Sequence, residues 1–374
     1  MEKMTASKVH CINRKQIFNL IYNNNGISRA QLSEELGLSL PAISQHLKDM
    51  EDKGLIRRKG HFESTGGRKP DMYWCVGDAR IAIGLHIRKN VVTLVAIDLY
   101  GKILDTRNVL KTYFHSEEYY KFIGYTVNKF VKDLGYDESK ILGVGIALTA
   151  ILSKNRREIR KSILLGQRDT KIDDFAKWIK YPCQMFHDSE AAASGEIWFS
   201  KNINDALYLG LNHHLNGTLI IDGEIHEGKE YTGGLVEHMV LIPGGKQCYC
   251  GRKGCFSAYC SGKVLFEDNK ESRDIFFSEL RGGNEKAKEK WNEFLRYLSV
   301  AVGSLYSLLD CNIIMGGEIG SYMTKQDAMK IQKMAFENYE FAVESDFVCL
   351  GHDHPNISAC GAAIYFISEF LGEQ

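Results

Sequence analysis

The sequence predicts an α/β body that carries a winged helix-turn-helix at its N-terminus. Three observations point there. Charge is unevenly spread: the 374-residue chain balances 47 Lys and Arg against 47 Asp and Glu, yet residues 1–70 hold 12 of the basic side chains and 7 of the acidic ones. A basic first fifth on an acidic remainder marks a module with an anionic partner. Within that fifth, two short helical stretches joined through a glycine are followed by a basic hairpin. Beyond Ala79, apolar runs of strand length alternate with helical stretches, the pattern of an α/β layer structure.

The elements of the module follow in order. Residues 13–26, NRKQIFNLIYNNNG, place Ile17, Leu20 and Ile21 at helical spacing, and the Asn run with Gly26 stops the helix. In SRAQLSEELGL, Ser28 is placed to cap, Leu32 and Leu36 line one face, and Gly37 permits a left-handed turn. In SLPAISQHLKDMEDKGLI, Ser39 is the N-cap, Pro41 falls in the first turn, and Ile43, Leu47 and Met50 form the buried stripe. The outward face then carries Pro41, Ala42, Ser44, Gln45 and Lys48, small or amide side chains for base edges and a cation for phosphate. The stretch LIRRKGHFESTGGRKPDMYWCV reads as two strands around a polar tip, a wing that brings Arg57, Arg58, Lys59, Arg68 and Lys69 to DNA. Its GGRKP segment suits a narrow minor groove.

In the body, IAIGLHIRKNVVTLVAIDLYGKIL reads as two apolar strands with a turn at Tyr100–Gly101. ILGVGIALT supplies another buried strand and DALYLGLNHHLNGTLIIDGEI two more, with helices over 117–134, 170–179, 188–199 and 285–309. No internal repeat is visible. A composition of 44% hydrophobic and 25% charged residues is that of an ordinary folded protein. No apolar run reaches the roughly 18 residues of a membrane span, and the N-terminus lacks the apolar core of a signal peptide. The expected location is therefore cytoplasmic, with no membrane partner and with the ten cysteines reduced.

A tight cysteine cluster in such a setting reads as a metal or catalytic site. Cys248, Cys250 and Cys255 are spaced C-x-C-x4-C, with Gly251 and Gly254 letting the backbone fold around a small ion. Three thiolates need a fourth ligand for a closed tetrahedral zinc site, and His238 lies upstream in GGLVEHM. A Cys3His set without an open position is structural Zn2+, supplying folding energy rather than chemistry. Cys260 reads as core.

GGLVEHM, CYCGRKGCFSAYCSG, NIIMGGEIG and ACGAAIYF together resemble the ROK family (repressor, open reading frame, kinase), from about Ile81 to the C-terminus. The preceding winged helix-turn-helix, with STGGRKP closing its wing, resembles that family's repressor branch. The resemblance implies a two-lobed, actin-like body of the sugar-kinase type: residues 1–79 the DNA-binding domain, 80–187 with 356–374 the first lobe, and 188–355 the second lobe with the zinc loop. It implies a sugar between the lobes, contacted by His187, Asp188, Glu237, His238 and Ser257. His238 would serve zinc through one ring nitrogen and a sugar hydroxyl through the other.

The chain departs from the kinase pattern. FHDSEAAASGE resembles the family's base-bearing stretch and places Asp188 at the base position, where a structural N-cap is the other reading. Where active relatives have a D-x-G-x-T phosphate turn, this chain has LHIRKN, so that His86, Arg88 and Asn90 replace the key residues; LGLNHHLNG replaces a Gly-x-Gly turn. Backbone amides cannot close on phosphate around a bulky side chain. His187, Leu235 and Ser257 likewise stand where the family has an amide and two carboxylates. These changes imply a non-catalytic Asp188 and a sugar-responsive repressor of carbohydrate-metabolism genes, acting as a homodimer or higher homo-oligomer on operator DNA. The alternatives are a constitutive regulator with a vestigial cleft, a metal sensor, or an ATP-dependent sugar kinase.

Overall fold

The computed structural model describes residues 6–61, 71–166, 169–200, 202–337, 346–352 and 356–373. The first helix runs over Ala6–Asn23, earlier in start than its periodicity suggests, with Ile17, Phe18 and Ile21 fully buried. The next helix, Arg29–Leu36, opens on a capping box in which the Ser28 hydroxyl accepts from the Gln31 amide and the Gln31 side chain accepts from the Ser28 amide. Gly37 follows it at φ +64°. The third helix, Leu40–Asp52, is capped by Ser39 and buries Ile43, Leu47 and Met50. Strands Ile56–His61 and Asp71–Cys75 pair antiparallel as the wing, with Ile27–Ser28 as the third strand of the sheet. The wing-tip candidates Arg68 and Lys69 lie outside the described residues.

The body contains two five-stranded sheets. The first has the order Cys183–His187, Ile141–Leu148, Ile81–Ile87, Val91–Asp98, Ile103–Leu110. The second, read from the opposite edge, runs Glu224–Ile225, Asn216–Ile221, Ala206–Gly210, Asn312–Gly316, Val348–Leu350. In each, three strands form an antiparallel meander, a fourth strand joins the meander's first strand in parallel, and a fifth pairs in parallel with the fourth. The fold is thus duplicated although the sequence shows no repeat. Topology survives on burial pattern alone, which many different apolar residues satisfy.

Two expectations need correction. The run 81–104 holds three strands, because Arg88–Asn90 form a turn before the one at Tyr100–Gly101. Ile81–Ile87 is buried almost throughout, so the two neighbouring apolar strands read as one. The helix expected over 170–179 shortens to Ile172–Ala176, after a strand at Thr170–Lys171.

The C-terminal helix, Ile357–Glu373, returns to the first sheet. A Cβ placed on Gly84 would sit 1.8 Å from the Ala359 carbonyl oxygen, and one on Gly145 would sit 2.0 Å from that of Ala362. Only glycine lets the helix approach the strands so closely. Its far end packs on the winged module, where Phe370 meets Phe18 edge-on at 6.0 Å and the two share one apolar core.

Candidate functional site

The cysteine loop folds as a small knuckle. The Cys248 amide donates to the Arg252 carbonyl and the Gly251 amide to that of Cys248. Gly254, at φ +82°, lies so near the Ile242 carbonyl that a Cβ there would be 1.8 Å from it. One ligand atom from each of His238, Cys248, Cys250 and Cys255 lies within 4.8 Å of all the others. His238 turns Nδ1 toward Cys248 Sγ at 3.7 Å, and Cys250 and Cys255 face each other at 3.7 Å. Four such donors around one point fit a tetrahedral ion. The other ring nitrogen, Nε2, points to Glu237, 3.9 Å from Oε1. Arg252 donates to the His238 carbonyl, which fixes the ring's backbone.

Beside this knuckle lies Asp188, the first residue of the helix Asp188–Ser200 and only 6% exposed. Thr149 donates to its Oδ2 and Asn216 to its Oδ1 at 3.2 Å. His187 Nδ1 is 3.3 Å from Oδ1; His86 Nε2 is 3.9 Å from Oδ2, within ion-pair reach and beyond a hydrogen bond. Burial works against charge on Asp188, but His187, His86 and Thr149 outweigh it and hold the carboxyl well below the usual carboxylate range. Glu237 is 5% exposed, and burial, with the charge of Asp188 adding to it, pushes its carboxyl up to about 8. Glu237 Oε2, His86 Nε2 and Asn216 Oδ1 are all buried without a hydrogen-bond partner.

Of the residues expected to contact a ligand, His187, Asp188, Glu237 and His238 therefore converge. Ser257 is buried at the start of the short helix Ser257–Cys260, behind the metal loop. Sequence reasoning missed Thr149 and Asn216, which tertiary structure alone brings to Asp188. It also missed Arg156, whose φ of +55° turns it into the cleft. Arg156 ion-pairs with Glu190 at 3.0 Å and Glu227 at 2.6 Å, tying the hairpin Ile151–Lys161, part of a small three-stranded sheet, to the loop after the second sheet's strand Glu224–Ile225. The pocket beneath, lined by Ile151, His187, Ser189 and Leu235 among others, has a volume of about 20 Å³. Small-molecule sites usually offer roughly 300–1,000 Å³, so this pocket is nearly filled by its own side chains.

Two residues beyond His86, Arg88 reaches from the first lobe to Glu318 at 2.7 Å, and Arg273 joins from the second lobe at 3.0 Å. Glu318 follows the Gly316–Gly317 turn, which Asn212 holds by accepting from the Glu318 amide at 2.9 Å.

On the winged module, Pro41, Gln45 and Lys48 are exposed, and Ala42 and Ser44 are half-buried. The Ser44 hydroxyl is engaged internally, donating to the Leu40 carbonyl and accepting from Arg29, a basic residue that sequence reasoning did not single out. Arg57 and Lys59 are exposed, whereas Arg58 is held bidentately by Glu51 at 2.9 and 2.8 Å. His46, on the buried face of the third helix, packs against His10, the ring centroids 4.4 Å apart and the planes tilted by 40°. Burial first, and then His10, lower its pKa. Among the described residues, no helix is long and apolar enough to cross a membrane.

Comparison with known proteins agrees with this architecture. The ROK family model matches residues 82–368, and a winged helix-turn-helix DNA-binding model matches residues 12–57. The chain is 28% identical over 261 residues to the xylose repressor of Bacillus spizizenii, covering 68% of this chain and 67% of that one. A solved ROK family transcriptional regulator, a homolog of the Escherichia coli MLC protein, superposes with a TM-score of 0.76 at 18% identity, covering 98% of this chain and 97% of that one. A ROK family glucokinase from Streptomyces griseus, solved with glucose and AMPPNP, superposes with a TM-score of 0.65 at 21% identity over 76% of this chain and 98% of its own. The chain belongs to the ROK family, with a winged helix-turn-helix ahead of the family domain.

Proposed function

We propose that the chain is a sugar-responsive transcriptional repressor of carbohydrate-metabolism genes, binding operator DNA through its winged module and lacking kinase activity. The observation that carries this reading is the contrast within the cleft. Buried, partnerless polar atoms surround Asp188, while Arg88 and Arg273 close on Glu318 at the place of the phosphate turns. The similarity to a xylose repressor supports it. The working domain map is 1–79 for DNA, 80–187 with 356–374 for one lobe, and 188–355 for the other.

His187, Asp188, Glu237 and His238 form the effector site, with Thr149, Asn216 and Arg156 added, while Ser257, expected there, stays buried behind the metal loop. Zn2+ is the ion for His238, Cys248, Cys250 and Cys255; it supplies loop rigidity, and through the ring the loop steadies Glu237 at the cleft. Asp188 accepts from a sugar hydroxyl and has no catalytic role. Pro41, Ala42, Ser44, Gln45 and Lys48 face the major groove, and Arg57, Arg58, Arg68 and Lys69 face phosphate, with Arg58 leaving Glu51 to do so. The chain acts in the cytoplasm as a homodimer or higher homo-oligomer, so that two winged modules read two half-sites.

A second reading, a constitutive DNA-binding regulator with a vestigial cleft, is favoured by one observation. Leu235 lines the pocket where the family carries a carboxylate, and the pocket is nearly filled. The DNA half of the proposal is tested with duplexes selected from a random pool. Gln45→Ala should lower discrimination between selected and random DNA by about 1–3 kcal/mol, because an amide pairs bidentately with adenine. Equal loss on both duplexes would remove Gln45 from base readout.

A further inference from the structure

The helix Asp188–Ser200 starts in the cleft and ends against the turn of the body that touches the winged module, spanning about 20 Å at ~1.5 Å per residue. At its N-terminal end are Asp188, Ser189, whose hydroxyl donates to the Gly217 carbonyl of the second sheet, and Glu190, paired to Arg156. At its other end Trp198 Nε1 donates to the Tyr100 carbonyl at 3.4 Å. Gly101, at φ +80°, lies so close to Trp198 and Phe199 that a Cβ there would be 2.9 Å from Trp198 Nε1 and 3.0 Å from the Phe199 ring. The turn after strand Val91–Asp98 is therefore seated on the end of this helix.

The same turn grips the winged module. The Tyr100 ring stacks on Tyr22, the two centroids 4.7 Å apart and the planes 6° apart. Tyr22 Oη donates to the Leu99 carbonyl at 2.8 Å, and Tyr100 Oη donates to the Tyr22 carbonyl at 3.2 Å. Tyr22 lies in the last turn of the first helix, whose Ile17, Phe18 and Ile21 form the module's core. The Leu99 amide also donates to the carbonyl of Gly77, in the segment that joins wing to body.

Along its length the helix is closely packed. Ala191, Ala192, Ala193 and Gly195 are all buried, and Ala191 and Gly195, one turn apart, share a face. Against that face a Cβ on Gly361 of the C-terminal helix would be 1.6 Å from the Ala191 carbonyl oxygen. The C-terminal helix is in turn pinned to the first sheet by Gly84 and Gly145. Within it, Glu196, 1% exposed, accepts from the His352 amide at 3.0 and 3.1 Å, which ties the helix to the rest of the second lobe, so that the helix moves with that lobe when the lobe angle changes. Packed helices that shift by small sliding motions are a common route for such changes.

We propose that the helix Asp188–Ser200 is the lever by which the state of the cleft reaches the winged module, with Trp198, Tyr100 and Tyr22 as the positioning residues that pass its displacement on. The proposal deepens the effector reading above and rests on it. Coupling between distant sites typically amounts to roughly 5- to 150-fold in affinity, and coupling of that size should pass through this contact.

The test uses the full, zinc-loaded chain and a duplex selected from random DNA with the wild-type protein. D-xylose should change the duplex affinity of wild type by at least about 5-fold and that of Tyr100→Leu by less than about 2-fold, while both bind D-xylose equally. Tyr100→Phe, which keeps the stack, should restore the response; Trp198→Leu should repeat the loss if Tyr100→Leu does not fold. A full response in Tyr100→Leu and Trp198→Leu would overturn the lever. A ligand-free arm separates this from failure of the effector reading. Asp188→Asn should alter duplex affinity in the wild-type background and have less effect beside Tyr100→Leu, whereas sites this far apart ordinarily act additively. If D-xylose is silent but this non-additivity holds, the lever stands and the choice of sugar falls. Additive effects, or no effect of Asp188→Asn, overturn the lever whatever the sugars do. Should no duplex be selected, hydrogen exchange of residues 18–23 reads the same cycle, and unchanged exchange in Asp188→Asn overturns it.

Discussion

The two ends of the cleft differ in how their charge is met. Around Asp188, Glu237 Oε2, His86 Nε2 and Asn216 Oδ1 are buried without partners. Each such atom costs about 1–3 kcal/mol, so this end is costly unless something binds there. Around Glu318, two guanidinium groups from opposite lobes close on one carboxylate; their buried Nε atoms make no hydrogen bond, that of Arg273 lying 3.7 Å from Asp274. That end is already filled by the chain itself. The difference is between a buried carboxylate whose polar neighbours lack partners and a carboxylate whose charge two arginines already meet, one of them, Arg88, reaching across between the lobes.

The strongest way to break the contrast is to remove the support of the ligand end. Cys255→Ser, at a fully buried position, should release the metal and cost several kcal/mol, roughly 10 °C or more in Tm. Metal analysis and a melting curve check this; retained metal and an unchanged Tm would show that the four residues do not form one site. Next in size, Asp188→Asn should weaken sugar binding about 10- to 100-fold, since hydrogen bonds to a charged group contribute roughly 1.5–3 kcal/mol. Calorimetry with a binding sugar measures it, and an unchanged affinity would place the sugar elsewhere.

Glu318→Gln should do much less. Arg88 is 37% and Glu318 26% exposed, so solvent screening keeps the loss of stability at about 1 kcal/mol or below. Sugar affinity should stay within about 2-fold. A large loss of sugar binding would mean that the two ends act as one site.

The smallest effect is a pH dependence in the winged module. His46 has a lowered pKa in the fold, so its contribution is fully present above the unfolded value of about 6.5 and is lost as pH falls through the folded one. Unfolding followed between pH 7 and 5 should show the module weakening on the acid side, and His46→Gln should flatten that slope. A slope of the opposite sign would mean that protonated His46 is stabilised in the fold.

The legible parts of the molecule are those written locally. The metal site is visible because four ligands fall within eighteen residues, His238 to Cys255, with Gly251 and Gly254 at the turns. The helix-turn-helix is visible because Ser28, Gly37 and Ser39 mark its ends. The duplicated sheets were hidden because continuous burial in Ile81–Ile87 and Val91–Asp98 conceals the turn between them. Asp188 is legible as a family position, but its partners come from four further segments, at His86, Thr149, Asn216 and Glu237. The Arg88 substitution could be read as a loss; that Arg88 finds Glu318, 230 residues away, belongs to the fold alone.

The measurement that tests the central contrast most directly is the melting temperature of the zinc-loaded chain against neutral sugars, amino sugars, sugar phosphates and ATP with Mg2+. A ligand at about 100 times its Kd adds roughly 2.7 kcal/mol of stability. One sugar class should raise Tm while ATP leaves it unchanged. A rise with ATP and silence from every sugar would contradict a sugar-responsive cleft without kinase chemistry.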